Sequence, residues 1–402
     1  MDSKLINNIS EYAKLFSQKK FIESGYIAVR SGDGIAITVQ KADLNNIGEN
    51  DVVFVNDKNI ESYEGNFRAA AVILFCAIRQ DKMSEAAAIV DSDSILNYSS
   101  KRKPLQPVMD NVAKLLGITV KCSSKNVAAE IVTALSGYRN ACFMPDAGAI
   151  VKARNLKELL EATDVLDKAC NAEILAENKG GTQHINPINA FIEQVVYKFT
   201  NKEKSENNGN NGQTDENKSA QSTESQPNEG DNGLGENSSS QSNEVSNSLG
   251  ENSSNGQSNE VGNSLGENLS NSQPNEVGEV GEVGVNNAEI QQEVKKYKTI
   301  SVGGKLVGFA CPRYITAVSA IGKPMAVNDE YKQKLGEEIP CIPSKMILTK
   351  KAYEKIVELT GDAKVCFMAQ HGAIVKADSE QELEETVSLV ENACKAYLQA
   401  ND

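Results

Sequence analysis

The amino-acid sequence predicts an α+β sandwich with a largely antiparallel central sheet, followed by a disordered linker and a second, partial copy of the first piece. Three observations carry this. Short β-prone runs and amphipathic helical stripes mix without strict β–α–β alternation, which disfavours a parallel sheet with crossover helices. A long polar segment then interrupts the chain. Beyond it, the motif pattern of residues 86–178 returns.

Each element can be argued in turn. Leu5, Ile6, Ile9, Tyr12, Ala13 and Phe16 fall at helical spacing, so the chain opens with an amphipathic helix. Polar residues break this stripe, and a signal peptide needs an unbroken apolar core. Residues 26–30 and 35–39 flank Ser31-Gly32-Asp33-Gly34, a hairpin signal with Asp-Gly in its loop. Residues 51–56 form a further strand, 66–79 a nearly all-apolar buried helix, and Ile89-Val90 ends another strand. Residues 141–152 read as a buried strand broken at a central glycine. Residues 156–177 carry Leu159, Leu160, Thr163, Leu166, Ala169, Cys170 and Ile174 on one helical face. Pro187 opens one more helix at its first position.

The composition excludes several function classes. The 402-residue chain has a net charge of −14, and from Ala220 to Val294 there are 13 Asp and Glu and no Lys or Arg. The remainder is therefore near neutral and offers neither the basic face a nucleic-acid binder needs nor a polybasic membrane patch. No apolar run is long enough to span a bilayer. Eight Cys without metal-type spacing read as buried thiols of a reducing compartment, which places the protein in the cytoplasm. Two His in total leave too few imidazoles for a three-His zinc site within one chain. Residues 201–292 are an acidic Asn/Ser/Gly/Glu segment in which Leu-Gly-Glu-Asn recurs at Leu234, Leu249 and Leu265. Its apolar content cannot offset roughly 1–2 kcal/mol per residue of backbone ordering, so disorder is expected.

The second repeat defines the domains. Cys142-Phe143-Met144 and the run from Gly148 to Ala153 return as Cys366-Phe367-Met368 and the run from Gly372 to Ala377, with 16 identities in 35 positions continuing into the helix beyond. Upstream, Lys103-Pro104 matches Lys323-Pro324, Leu116-Gly117 matches Leu335-Gly336, and Cys122 matches Cys341. The expected organisation is a first domain at 1–200, the linker at 201–292, and a truncated copy at 293–402 without the N-terminal hairpin and first helices. Gly303-Gly304 before Lys305 is a strand-turn signal.

A glycine-centred strand followed by a long Glu-rich helix, as in Gln370-His371-Gly372-Ala373-Ile374-Val375 and then Leu383-Glu384-Glu385-Thr386, resembles the class II aldolase/adducin family. Gly25-Tyr26-Ile27-Ala28-Val29-Arg30 resembles that family's Gly-Asn-x-Ser-x-Arg hairpin, and residues 306–325 resemble the stretch around its His-x-His-Pro step. The resemblance covers residues 3–178 once and 299–400 again. It implies an αβα sandwich and lyase chemistry in carbohydrate metabolism. There, Zn²⁺ on three His polarises a carbonyl, a Glu moves the proton, and Gly-Asn, Ser-Gly and Ser-Ser loops hold a sugar phosphate.

Most of these positions have changed. In the first copy the His-x-His step falls on Asp91-Ser92-Asp93, the third ligand on Ala147, the Glu on Val72 and the Ser-Ser pair on Ala70-Ala71. Glu61 or Glu64 replaces the carboxylate only if a gap is inserted. Of the hairpin motif, Gly25 and Arg30 remain. In the second copy His371 keeps the third-ligand position, and the His-x-His step falls on Phe309-Ala310-Cys311. His371 with Cys311 is a candidate Zn²⁺ or Fe²⁺ pair, against the ordinary reading of a His kept for packing. Asp91 with Asp93 is a candidate for Mg²⁺ or Mn²⁺, against the ordinary reading of a loop or helix cap. A site shared between copies is a third arrangement. His184 reads as a solvated loop His. The expectation is a pseudoenzyme with no catalytic residues and no cofactor, acting as a binding or assembly module whose two copies pair within the chain, with self-association of chains a further expectation. The alternative is an active metal-dependent aldehyde-lyase or epimerase with rewired ligands.

Overall fold

The computed structural model describes residues 2–23, 25–208, 297–344 and 350–400. The acidic repeat of the linker lies outside the described residues. Eleven helices and fourteen strands occur among them, in two copies of one arrangement.

The first copy begins with α1 (Ser3–Gln18), whose first turn is capped by the Asp2 carboxylate and whose Ile6, Ile9, Ala13 and Phe16 are buried as the spacing requires. β1 (Tyr26–Ser31) and β2 (Gly34–Thr38) form the expected hairpin, with Gly32 at a positive φ in its turn. β3 (Val52–Val55) extends it, and α2 (Gly65–Gln80) follows as the predicted apolar helix. After β4 (Ala86–Val90) come α3 (Asp93–Ser99), α4 (Asp110–Leu116), β5 (Lys121–Cys122) and α5 (Ala128–Leu135). Then β6 (Ala141–Phe143), β7 (Ala149–Ala153), α6 (Leu156–Ala176) and α7 (Pro187–Asn208) complete the copy. α7 continues past residue 200, where the sequence reading starts the linker.

The sheet order is β3-β2-β1-β4-β7-β6-β5, with every pairing antiparallel except β5–β6. Side chains alternate between its faces. Ala28, Ile35, Ile37, Ala87 and Ile150 pack under α2 and α5, while Ile27, Ala36, Ala88, Val90, Phe143 and Val151 pack under α1, α3, α4 and α6. The result is the expected α+β sandwich with helices on both faces.

The second copy consists of β8 (Lys298–Val302), β9 (Lys305–Ala310), α8 (Arg313–Ile321), β10 (Met325–Ala326), α9 (Asp329–Leu335), β11 (Glu338–Ile339), β12 (Cys341–Ile342), α10 (Lys350–Leu359), β13 (Val365–Met368), β14 (Gly372–Ala377) and α11 (Glu380–Gln399). Its sheet, β12-β13-β14-β9-β8, repeats the β5-β6-β7-β4-β1 portion of the first, including the parallel β12–β13 pair. Two expectations are corrected here. The second copy does have a strand in the place of β1, because Gly303 and Gly304, both at positive φ, turn β8 back onto β9. The broken strand at 141–152 is an antiparallel pair, because residues 144–148 reverse the chain.

The copies share one core. Buried Ile315, Ala317, Val318, Ala320 and Ile321 of α8 belong to the same apolar cluster as Leu159, Leu166, Ala169, Cys170 and Ala176 of α6. α8 lies against α6 of the first copy and against α11 of its own. Glu391 of α11 accepts the Tyr314 and Ile315 N–H groups at 2.9 and 2.8 Å, capping α8. Hydrogen bonds cross the seam, among them Arg313 to Ser94 Oγ at 2.5 Å and the Gln183 N–H to the Ala320 carbonyl at 2.6 Å. Among the described residues α3, the counterpart of α8, makes no comparable contact with α11, the counterpart of α6. The pairing is thus head-to-tail rather than two-fold.

Gly148 and Gly372 hold equivalent reversals between paired strands. Their φ values are +89° and +95°, and a Cβ would sit 2.2 Å from the Val90 carbonyl oxygen or 2.3 Å from that of Ala310. Both backbone carbonyls are fixed in the sheet, so neither neighbour can yield. Gly148→Ala and Gly372→Ala should each destabilise the protein by about 3 kcal/mol in urea titrations, from left-handed strain plus the steric overlap. A change under about 1 kcal/mol would contradict this geometry.

Candidate functional site

The candidate residues cluster where β4 and β9 end and where the β6–β7 and β13–β14 turns pass over them. Val90 pairs with Ala149, and Ala310 with Ala373. This register makes Asp91 the equivalent of Cys311 and Ala147 the equivalent of His371. The step of the second copy equivalent to Asp91-Ser92-Asp93 is therefore Cys311-Pro312-Arg313, two residues beyond the placement made from sequence.

No three of the four proposed ligands converge as a metal-binding group among the described residues. Asp91 is buried. Its Oδ1 accepts the Glu23 N–H at 2.7 Å, and its own N–H donates to the Phe21 carbonyl at 3.0 Å, so it ties the chain entering β1 to the end of β4. Asp93 is exposed in the first turn of α3. Cys311 donates its Sγ–H to the His371 carbonyl at 3.1 Å, and burial pushes the thiol up to about 11. That holds it as a thiol rather than a thiolate.

His371 reaches across the seam. Its side chain is 6% exposed, and Nδ1 lies 3.5 Å from Oδ1 of Asp110 at the start of α4 in the first copy. Nε2 is 3.3 Å from Ser344 Oγ. Asp110 also pairs with Lys114 one turn along α4, and Lys114 Nζ is 3.4 Å from Glu193 of α7. Burial pushes Asp110 up, but the hydrogen bond and charge of His371, with Lys114, outweigh it and hold the carboxyl well below its usual range. The sequence reading missed Asp110, Lys114 and Glu193. The i, i+4 Asp110/Lys114 spacing is visible in sequence, but it is a common surface pattern.

This donor set does not match the three-imidazole site that the resemblance implied. One imidazole faces a carboxylate that already holds an ammonium, the neighbouring thiol is committed to a carbonyl, and no three His, Cys, Asp or Glu converge as metal ligands among the described residues. The other family positions have packing roles. Arg30 donates to the Ile78, Asp81 and Ser84 carbonyls at 2.7, 3.1 and 2.8 Å, fastening β1 to the end of α2. A Cβ at Gly25 would lie 2.0 Å from the Ile89 carbonyl oxygen. Tyr26 is buried with its ring 6.0 Å from that of Phe67. Ala70 and Ala71 are buried, Val72 packs on the same cluster, and Glu61 pairs with Arg68.

His184 is half exposed but not simply solvated: its Nε2 lies 2.8 Å from Glu173 Oε1. The Glu173 hydrogen bond holds His184 above its ordinary 6.5, against opposing burial. Burial pushes Glu173 up, but His184, Thr182 and Lys101 bring it below its ordinary 4.5. The histidine's contribution to stability is complete below about 6.5 and is lost as pH rises through its folded value. The glutamate's is present above about 4.5 and is lost as pH falls through its folded value. The pair thus stabilises most between these limits. NMR titration of the His184 ring should give a midpoint above 6.5, falling to or below 6.5 in Glu173→Gln, where burial alone remains. An unchanged midpoint would refute the pairing.

Comparison with known proteins fits this arrangement. The chain matches the profile of the Class II Aldolase and Adducin N-terminal domain over residues 7–174 and again over 305–398. No curated protein matches it. Among solved structures, an L-fuculose 1-phosphate aldolase is 19% identical, covering 50% of this chain and 98% of its own, with a TM-score of 0.43. YgbL from Escherichia coli, described as a putative aldolase/epimerase/decarboxylase, is 14% identical over 48% of this chain and 98% of its own, with a TM-score of 0.41. The L-fuculose-1-phosphate aldolase of Thermus thermophilus is 16% identical over 46% of this chain and 100% of its own, with a TM-score of 0.38. With its profile matched over most of the folded sequence and in two segments, this chain belongs to the class II aldolase/adducin family and carries the family domain in tandem.

Proposed function

We propose that this protein is a non-catalytic member of its family, a binding or assembly module of the cytoplasm that holds no catalytic metal. The observation that carries this reading is the use made of the residues at the family's chemical positions. Asp91 anchors a backbone amide, Arg30 binds three backbone carbonyls, and His371 faces the Asp110 carboxylate of the other copy. A carbonyl-polarising metal and a base act as one unit, so loss of most members leaves no route for a single survivor to restore rate. On this reading the domains are the first copy, the linker and the second copy, and the copies pair within the chain. Self-association of chains belongs to the same reading.

The rival reading is an active lyase or epimerase with rewired ligands, and the His371–Asp110 pair at the seam is the observation that favours it. A coupled dihydroxyacetone-phosphate assay separates the two. Fuculose 1-phosphate and rhamnulose 1-phosphate should give no cleavage with Zn²⁺, Mn²⁺, Mg²⁺ or Fe²⁺ added. His371→Ala should leave metal content unchanged and shift stability by about 1 kcal/mol. Metal-dependent turnover that disappears in His371→Ala would overturn the proposal and make His371 a ligand.

A further inference from the structure

A cavity of about 540 Å³ opens in the first copy at the other end of the sheet from Asp91 and Ala147. β4 and β7 are antiparallel, so Val90 and Ala149 mark one end and Ala86 and Ala153 the other. Asp91 and Ala147 belong to the first end, and the cavity is built around Lys152, Ala153 and the turn before β4 at the second. Its size lies within the range usual for small-molecule sites. Leu135, Tyr138, Phe191 and Tyr197 wall it, and Lys152 and Arg154 enter it. Tyr138 is 70% exposed and Phe191 49%, large apolar surface held at the mouth.

The polar groups are not fully answered by the protein. The Lys152 side chain is 4% exposed, and its Nζ meets Asp81 Oδ2 at 3.3 Å. An ammonium has three donors, and one acceptor leaves two without a partner. Its counterpart in the second copy, Lys376, is only partly buried and donates to the Gly361 carbonyl, so the full burial is particular to this end of the first copy. Arg154 gives Nε to Glu158 at 2.6 Å and one Nη to the Tyr197 hydroxyl at 3.3 Å, with its guanidinium 5.3 Å from the Tyr197 ring centroid. That leaves further guanidinium donors. Burial also draws the Lys152 ammonium below its ordinary value, with Asp81 opposing, so a second anion beside it would be favoured.

We propose that this cavity binds a small aromatic monocarboxylate, its carboxylate on Lys152 and Arg154 and its ring among Leu135, Tyr138 and Phe191. A monoanion fits because Asp81 and Glu158 already face these cations. A phosphate dianion would place two further negative charges against them. The site stands independently of the non-catalytic reading, and the outcome of the aldolase assay does not bear on it.

The test uses the full chain and ligand-observed NMR with phenylacetate, 3-phenylpropanoate and indole-3-acetate. At least one should bind saturably with a Kd below about 1 mM. Phenylacetamide and benzyl phosphate should bind at least about tenfold more weakly, and Lys152→Met should weaken the carboxylate by a similar factor. Lys152→Met removes the ammonium that faces Asp81 and can unfold the chain. Phe191→Ala, at an exposed position, provides the second variant and should weaken binding about fivefold. The proposal is overturned if none of the three carboxylates binds up to about 10 mM, if amide and acid bind equally, or if Phe191→Ala leaves affinity unchanged.

Discussion

The packing of α8 against α6 is the contact on which the rest of the arrangement depends. The second copy has a five-stranded sheet, and the helices on its larger buried face are α8 and α11. α8 is a short helix whose buried residues are shared between α11 of its own copy and α6 of the first. Its N-terminus is held from both sides, by Glu391 from α11 and by the Arg313–Ser94 hydrogen bond to the first copy. Burial of apolar surface is the main favourable term in such a seam, and these polar contacts fix its register. Among the described residues no helix is long and apolar enough to cross a membrane.

The same backbone constraint governs both copies at the place where the family's chemistry would sit. Gly148 and Gly372 must pass within contact of a neighbouring strand carbonyl, and each N–H is met by a serine hydroxyl, Ser99 or Ser319. These contacts preserve the turn whatever stands before the glycine. Ala147 in one copy and His371 in the other therefore occupy the same frame with different consequences. The alanine is inert, and the imidazole finds a carboxylate on the adjoining copy. The scaffold requirement is satisfied by glycine and serine alone, so the side chains around it are free to change.

Much of the fold is legible in the sequence because its causes are local. The alternation in residues 26–39 with Asp33-Gly34 in the loop specifies the hairpin, the stripe in residues 3–18 specifies α1, and the internal repeat specifies the copy relation. The break at Gly148 is visible, but its effect is not, since periodicity does not say whether a glycine bends a strand or reverses it. The counterpart of β1 escapes sequence reading because β8 has low similarity to β1 and is defined by pairing with β9. The site is less legible still. Asp110 and Lys114 share one turn of α4, but Glu193 and His371 lie far from them in the chain, and the docking of the copies is what adds His371. Nor does spacing tell that Asp91 turns inward while Asp93 faces solvent.

Cooperative dependence of the two copies is the central claim, and urea unfolding of the full chain with pulsed hydrogen-exchange mass spectrometry tests it most directly. Peptides from β7 and α6 report on the first copy, and peptides from β14 and α11 on the second. If α8 on α6 completes the core of the second copy, its peptides lose protection no later than those of the first, with no populated state in which the second copy alone is folded. Protection that persists in β14 and α11 after β7 and α6 have exchanged would contradict that dependence.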